Sequence, residues 1–266
     1  MTNVQLNHGF HIHVTEQGAG VPVILLHGFC GSGGYFASIK ESLSKHCRVI
    51  LPDLRGHGKS AAPNGPYTIE EMADDIIQVA DKLQLNQFVL LGHSLGGYIA
   101  LSAAERYADR LLGFGLIHSN GYPDTDEGKA GRLQAIEKIQ TEGMAAFINA
   151  LVPTLFNPDR LDALKGEVQA AVQIGYHTPP QGAIGASLAM RERKDRRQVM
   201  EDTDVPLLLV AGRKDLKMPP EKLFTTSREG VSSHIIENAG HMSMQETPEE
   251  LVSIIQSFVK ERVEAV

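Results

Sequence analysis

The chain has no tryptophan and only two cysteines among its 266 residues. Cys30 and Cys47 are too few for a disulfide framework, and their spacing fits no thiolate metal site. That scarcity leads to the expectation of a reduced, cytoplasmic protein. Long apolar runs are also missing. The longest, such as Pro206-Leu207-Leu208-Leu209-Val210-Ala211, are of strand length, so no membrane-spanning segment is expected. Met1 to His8 carries neither a charged nor an apolar leader pattern, so no secretory signal is expected. Excess positive charge is absent: the formal net charge is −7, which argues against a nucleic-acid-binding face. The acidity favours solubility and says nothing of the substrate. Internal repeats and low-complexity stretches are lacking too.

What remains is an ordinary globular composition, 42% hydrophobic and 21% charged, ample for a large core. Apolar runs of strand length lie at 10–14, 23–26, 48–51, 88–91, 112–117, 207–210 and 233–236. Amphipathic stretches fall between them, at roughly 35–45, 68–84, 95–108, 219–228 and 247–263. Thr247-Pro248-Glu249-Glu250 reads as a helix start, with threonine as the cap. Alternation of this kind predicts an α/β fold: a mostly parallel central sheet with helices on both faces. The alternation stops between about 120 and 200, where only helical patterns and prolines occur. The expected organisation is a core of 1–119 and 201–266 with a helical cap, or lid, inserted at 120–200.

Gly92-His93-Ser94-Leu95-Gly96 follows the apolar run Phe88 to Leu91 and precedes a helical pattern. The order is strand, tight turn, helix, with a serine at the apex: the G-x-S-x-G nucleophile elbow. A serine held there in a strained backbone presents its hydroxyl at the carboxyl end of the strand. Its neighbours two residues away must be tiny, because the strand and helix backbones nearly touch. Three further motifs follow strands. His27-Gly28-Phe29 can present a backbone N–H, and acyl transfer needs two such donors at the developing oxyanion, here Phe29 and Leu95. Gly212-Arg213-Lys214-Asp215 supplies an acid that can orient an imidazole. Asn238-Ala239-Gly240-His241 supplies the imidazole, with Gly240 allowing a sharp bend.

The order Ser94, Asp215, His241 and these motifs, with the turn Asp53 to Ser60, resemble the α/β-hydrolase family. The likeness covers about 1–119 and 201–266, while 120–200 matches the family's variable cap only in position. The resemblance implies a catalytic triad of Ser94, Asp215 and His241, an oxyanion hole at Phe29 and Leu95, and no cofactor or metal. It implies a serine hydrolase acting on a carboxylic ester of a small to medium apolar molecule. Lactonase chemistry, in particular on enol-lactones, and thioesterase chemistry stay open. Relatives that open epoxides or displace halide carry aspartate at the elbow, which this chain lacks. Relatives that cleave carbon–carbon bonds commonly carry asparagine behind the His-Gly motif and tryptophan after the histidine. Here those places hold Phe29-Cys30-Gly31 and Met242-Ser243, which weakens that reading. A ligand-sensing receptor that keeps the triad is the alternative from another class.

The substrate pocket is expected to be apolar, built from Phe29, His93, Phe147, Met190, Leu216 and Met242, with other cap residues such as Leu151 and Leu155 nearby. Charges in 120–200 balance, ten of each sign, so no field steering an anion is expected. His11-x-His13 reads as a solvated edge face, Cys30 as a small filler, and Asp53, Arg55 and His57 as organisers of a turn. The run Arg191 to Arg197 reads as a solvated helix end. The expected partner is a small ester-like molecule, not nucleic acid or membrane, and no oligomeric state is implied.

Overall fold

Each apolar run read from the sequence falls on a strand of the computed structural model, Phe10 alone standing one residue ahead of its strand; the structure describes residues 1–7 and 9–263. The strands are β1 (Thr2–Gln5), β2 (His11–Gln17), β3 (Val21–Leu26), β4 (Cys47–Pro52), β5 (Phe88–His93), β6 (Leu111–Ile117), β7 (Leu207–Gly212) and β8 (Val231–Ile236). Among the described residues they form one sheet in the order β1-β2-β4-β3-β5-β6-β7-β8. The pairs β1/β2 and β2/β4 are antiparallel, and every other pair is parallel. β1 has no apolar run and went unread. Because it pairs with β2, the His11–His13 face is not an edge; His13 Nδ1 lies 2.9 Å from Asn3 Oδ1 on β1.

The central strands are buried on both faces, so consecutive residues feed two separate cores. Ile24, Leu26, Leu90 and Leu209 face one core; Val23, Leu25, Val89, Leu91 and Val210 face the other. Each such fully buried side chain stabilises the fold by roughly 1.5–3 kcal/mol. Helices α1 (Ala37–Ser44), α2 (Ile69–Lys82) and α3 (Leu95–Arg106) connect the first strands. α2 starts in a reciprocal cap: Thr68 Oγ1 accepts from Glu71 N, and the Glu71 carboxylate accepts from Thr68 N.

Between β6 and β7 every described element is helical: α4 (Asp126–Leu151), α5 (Lys165–Gly175), α6 (Pro180–Arg191), α7 (Arg197–Asp202) and short 3₁₀ turns. α4 is broken at Gly143, whose φ of 83° is not helical, so it runs as two helical segments joined at a kink. The run Arg191 to Arg197 is not a solvated helix end. Arg196 is buried and bridges Glu70 and Glu105 of the core, and Arg193 stacks on Tyr98 and pairs with Asp124. The run therefore fastens the insert to α2 and α3.

After β7, the helix expected at 219–228 is only α8 (Pro220–Leu223); Pro219 and Pro220 limit its start, and Phe224 leaves the helical conformation. α9 (Ser243–Glu246) leads into α10 (Pro248–Phe258), whose apolar face packs on the second core. Thr247 precedes α10 as expected but does not cap it; its hydroxyl donates to the Ser243 carbonyl instead. The core boundary drawn at 266 includes 264–266, which lie outside the described residues. Among the described residues no helix is long and apolar enough to cross a membrane.

Candidate active site

Ser94 joins β5 to α3 with φ 52° and ψ −112°, a conformation that costs a residue with a Cβ roughly 1–3 kcal/mol. The backbone around it is pinned. Ser94 N donates to Ile117 O, and Ser94 O accepts from Gly97 N and from Ser119 Oγ. The flanking glycines are a steric requirement: a Cβ on Gly92 would overlap the Gly96 carbonyl, and one on Gly96 would overlap the backbone of Leu26. Leu95 opens α3, so its N–H is among those a helix leaves without an intrahelical acceptor. Phe29 lies in the loop after β3, and Gly28 beside it would clash with His93 and Ser94 if it carried a Cβ.

Asp215 follows β7 and is buried. Its Oδ1 accepts from Lys217 N (2.8 Å) and Met218 N (2.9 Å), which shapes the turn. Its Oδ2 accepts from His241 Nδ1 at 2.7 Å. The same oxygen lies 3.2 Å from Nδ1 of His118, a fully buried residue at the end of β6 whose φ is 51°. His118 Nε2 is 2.7 Å from Ser243 Oγ. Burial alone would raise the Asp215 carboxyl, but the facing His241 and His118 imidazoles outweigh it and hold it below the usual carboxylate range.

The loop carrying His241 is bonded on every side. His241 N donates to Leu155 O of the insert, and His93 Nε2 donates to the His241 carbonyl at 2.8 Å. Glu246 Oε1 accepts from Gly240 N and Met242 N, and its Oε2 from Asn157 N. Glu246 thus clamps the histidine loop to the insert while itself buried. Gly240 does not supply a bend, since its φ is not positive; it permits close approach, because a Cβ there would strike the Phe156–Asn157 backbone. Burial, then the His241 and His118 imidazoles, keep His93 well below its ordinary pKa.

Ser94, His93 and His241 line one cavity of about 290 Å³, together with Phe29, Met190, Leu151 and Leu155. The sequence had named all of these. Phe147 stands one layer back, packed edge-on against Phe29 with ring centroids 6.0 Å apart. Two expected lining residues are elsewhere. Leu216 is 74% exposed, because the Asp215 turn directs residue 215 inward and 216 outward. Met242 is fully buried in the second core with Leu251 and Ile255, beneath the loop rather than above it. Tyr35, Tyr98, Arg132, Lys217 and Met218 line the cavity and had not been expected to. Glu246 had no visible signal, since an acid inside a short helix is ordinary; the place of His118 at the carboxyl end of a strand left pocket lining and structural support equally open, and it stands against Asp215 rather than among the cavity-lining residues.

The donor atoms of His118, Asp215 and His241 lie within 4.8 Å of one another, so the group has the composition of a metal site. The 2.7 Å between His241 Nδ1 and Asp215 Oδ2 is shorter than the ~3.3 Å separating two ligands of one tetrahedral zinc and suits a direct hydrogen bond. The turn at 53–60 is structural, as expected: Asp53 accepts from Gly33 N and Lys59 N, and Arg55 pairs with buried Asp75. Cys30 is fully buried, and burial pushes its thiol pKa up.

A strained serine between a parallel strand and a helix, in one cavity with an acid-supported histidine, is the arrangement of the nucleophile elbow. The chain is an α/β hydrolase. The family model of the alpha/beta hydrolase fold matches residues 21–248. A thermophilic esterase from Thermogutta terrifontis, solved with malate bound, is 30% identical with a TM-score of 0.93, each chain being covered to 98%. The enol-lactonase from Burkholderia xenovorans is 26% identical with a TM-score of 0.88, over 97% of this α/β hydrolase and 100% of that chain. The 3-oxoadipate enol-lactonase 1 of Acinetobacter baylyi is 28% identical over 82% of this chain and 81% of its own.

Proposed function

We propose that this α/β hydrolase is a cofactor-free serine hydrolase that cleaves a carboxylic ester through an acyl-enzyme. Ser94 is the nucleophile. His241, with its Nδ1 proton on Asp215, has the Nε2 lone pair free to take the Ser94 proton as Oγ attacks the carbonyl. The N–H groups of Phe29 and Leu95 receive the charge that develops on the carbonyl oxygen. His241 then passes the proton to the departing alcohol, and water enters by the same route in reverse. The helical insert closes over the cavity as a cap, and its Leu151, Leu155 and Met190 bear on the acyl or alcohol part of the substrate.

The observation that carries this reading is the left-handed Ser94 backbone beside a His241 held to Asp215 at 2.7 Å. Likeness to an esterase and to two enol-lactonases supports carboxyl hydrolysis in general, and a lactone is the nearest alternative substrate. Repeated turnover of a short-chain aryl ester, lost in Ser94→Ala and unaffected by a chelator, is the expected result. A single slow event with a ligand-dependent shift in melting temperature would instead mark a receptor. Zinc-restorable loss of activity after chelation would overturn the metal-free mechanism. Both cysteines are buried, which suits a reducing compartment.

A further inference from the structure

A chain with a net charge of −7 builds a cationic chamber beside its candidate nucleophile. A second cavity of about 630 Å³ shares a wall with the Ser94 cavity, made of Tyr98, Arg132, Lys217 and Met218. Five cationic side chains and two carboxylates line it. The imbalance is sharpest at the shared wall. Asp124 is paired with two guanidiniums at once, Arg132 at 3.0 Å and Arg193 at 2.5 Å, so it neutralises only one of them. Arg193 is further held by Tyr122 O, Met190 O and the face of Tyr98, which leaves Arg132 as the adaptable partner. Among the described residues no carboxylate pairs with the ammonium of Lys217 or Lys222. The Asp215 turn fixes the backbone of Lys217, which keeps that residue at both cavities. The even charge count across 120–200 concealed this, because Lys217 and Lys222 lie outside that segment and Arg132 and Arg193 share one acid.

We propose that Arg132 and Lys217 form a carboxylate subsite, and that the substrate is an ester or lactone carrying a free carboxylate a short spacer away from the scissile carbonyl. The inference rests on Ser94 being the nucleophile and adds the chemistry of the group that orients the substrate to it. A guanidinium already positioned by an acid, next to an unpaired ammonium, meets a carboxylate with charge-assisted hydrogen bonds in a cleft whose field favours anions. Hydrolysis consumes one water and yields a second carboxylic acid and an alcohol. The product is a dicarboxylate when the free carboxylate is on the acyl side, and a hydroxy acid when it is on the alcohol side.

Two matched pairs test the subsite by titration of released acid: monoethyl adipate against its neutral primary amide, and 3-acetoxybenzoate against 3-acetoxybenzamide. In at least one pair kcat/KM for the carboxylate should exceed that for the amide by about tenfold at low salt, and the ratio should shrink several-fold at 0.5 M NaCl. Lys217→Gln and Arg132→Gln should each lower that ratio about fivefold or more, mainly through KM, whereas Lys165→Gln on the exposed face of the insert should not. Ratios at or below one in both pairs, or ratios indifferent to Lys217→Gln and Arg132→Gln, overturn the subsite. Absence of turnover of all four esters, or turnover that survives Ser94→Ala, overturns the serine-hydrolase reading instead. The subsite is then judged by binding alone. Adipate, and not adipamide, should raise the melting temperature of the wild type, and Lys217→Gln should abolish the rise. No adipate effect would refute it.

Discussion

Replacing Ser94, the proposed nucleophile, with glycine should make the protein more stable while abolishing its activity. Ser94 sits at φ 52° and ψ −112° because Ile117 O, Gly97 N and Ser119 Oγ pin its backbone, not because serine favours that region. The conformation costs a residue with a Cβ roughly 1–3 kcal/mol, and glycine adopts it at little cost. Glycine also loosens the unfolded chain, which takes back roughly 0.4–1 kcal/mol. Taken at mid-range, the net gain is about 1.3 kcal/mol. At roughly 2–4 °C per kcal/mol for a domain of about this size, Ser94→Gly should melt several degrees above the wild type. Ser94→Ala is the control, since it removes the hydroxyl and keeps the Cβ, and its melting temperature should stay close to that of the wild type. Scanning calorimetry of the three proteins at one pH decides the matter. A Ser94→Gly protein that melts at or below Ser94→Ala would show that the elbow stores no strain.

Ser94→Ala should lower kcat by about 10⁵ to 10⁶, His241→Ala nearly as much, and the double variant hardly more; losses that multiply in steady-state kinetics would contradict a cooperating pair. Glu246→Gln should leave at least one buried N–H of the histidine loop or Asn157 without an acceptor, at a cost of about 1–3 kcal/mol, and lower kcat through a looser His241; unchanged melting and kcat would remove Glu246 from that role. Burial lowers His27 to about 4 and His57 to about 3, so both add stability that is complete above their ordinary value near 6.5 and is lost as the pH falls toward those values. The fold should therefore soften steadily below pH 6.5; a melting temperature that is flat between pH 7 and pH 5 would contradict the buried, neutral imidazoles. Met190→Ala, which shortens a cavity wall, should move the preferred chain length upward by one or two carbons at about 0.8 kcal/mol per buried methylene; an unmoved optimum would show that Met190 does not face the substrate.

Local sequence determined the frame of this protein. Strands buried on both faces must be short and largely apolar, and the central strands β3 to β7 announced themselves that way, while the less buried β2 and β8 showed only through their few apolar residues. The Ser94 turn was legible because sterics leave so few choices: Gly92 and Gly96 stand where a Cβ would meet backbone, and only small residues satisfy that. The order of Ser94, Asp215 and His241 was legible because parallel strands deliver their carboxyl ends to one edge of the sheet. Tertiary structure alone decided which side chains meet. Leu216 and Met242 are neighbours in sequence of the acid and the histidine, yet one faces outward and the other lies in the core, because adjacent residues of a tight turn point apart. Arg132 and Lys217 are 85 positions apart in the chain and line the same wall, and no count of charges along a segment could reveal that. Glu246 accepts from three backbone N–H groups on two segments, and that role exists only once Asn157 and Gly240 have been brought together. Periodicity and steric exclusion act over a few residues and can be read along the chain; cavity walls, charge imbalance and long-range clamps are properties of the assembled elements.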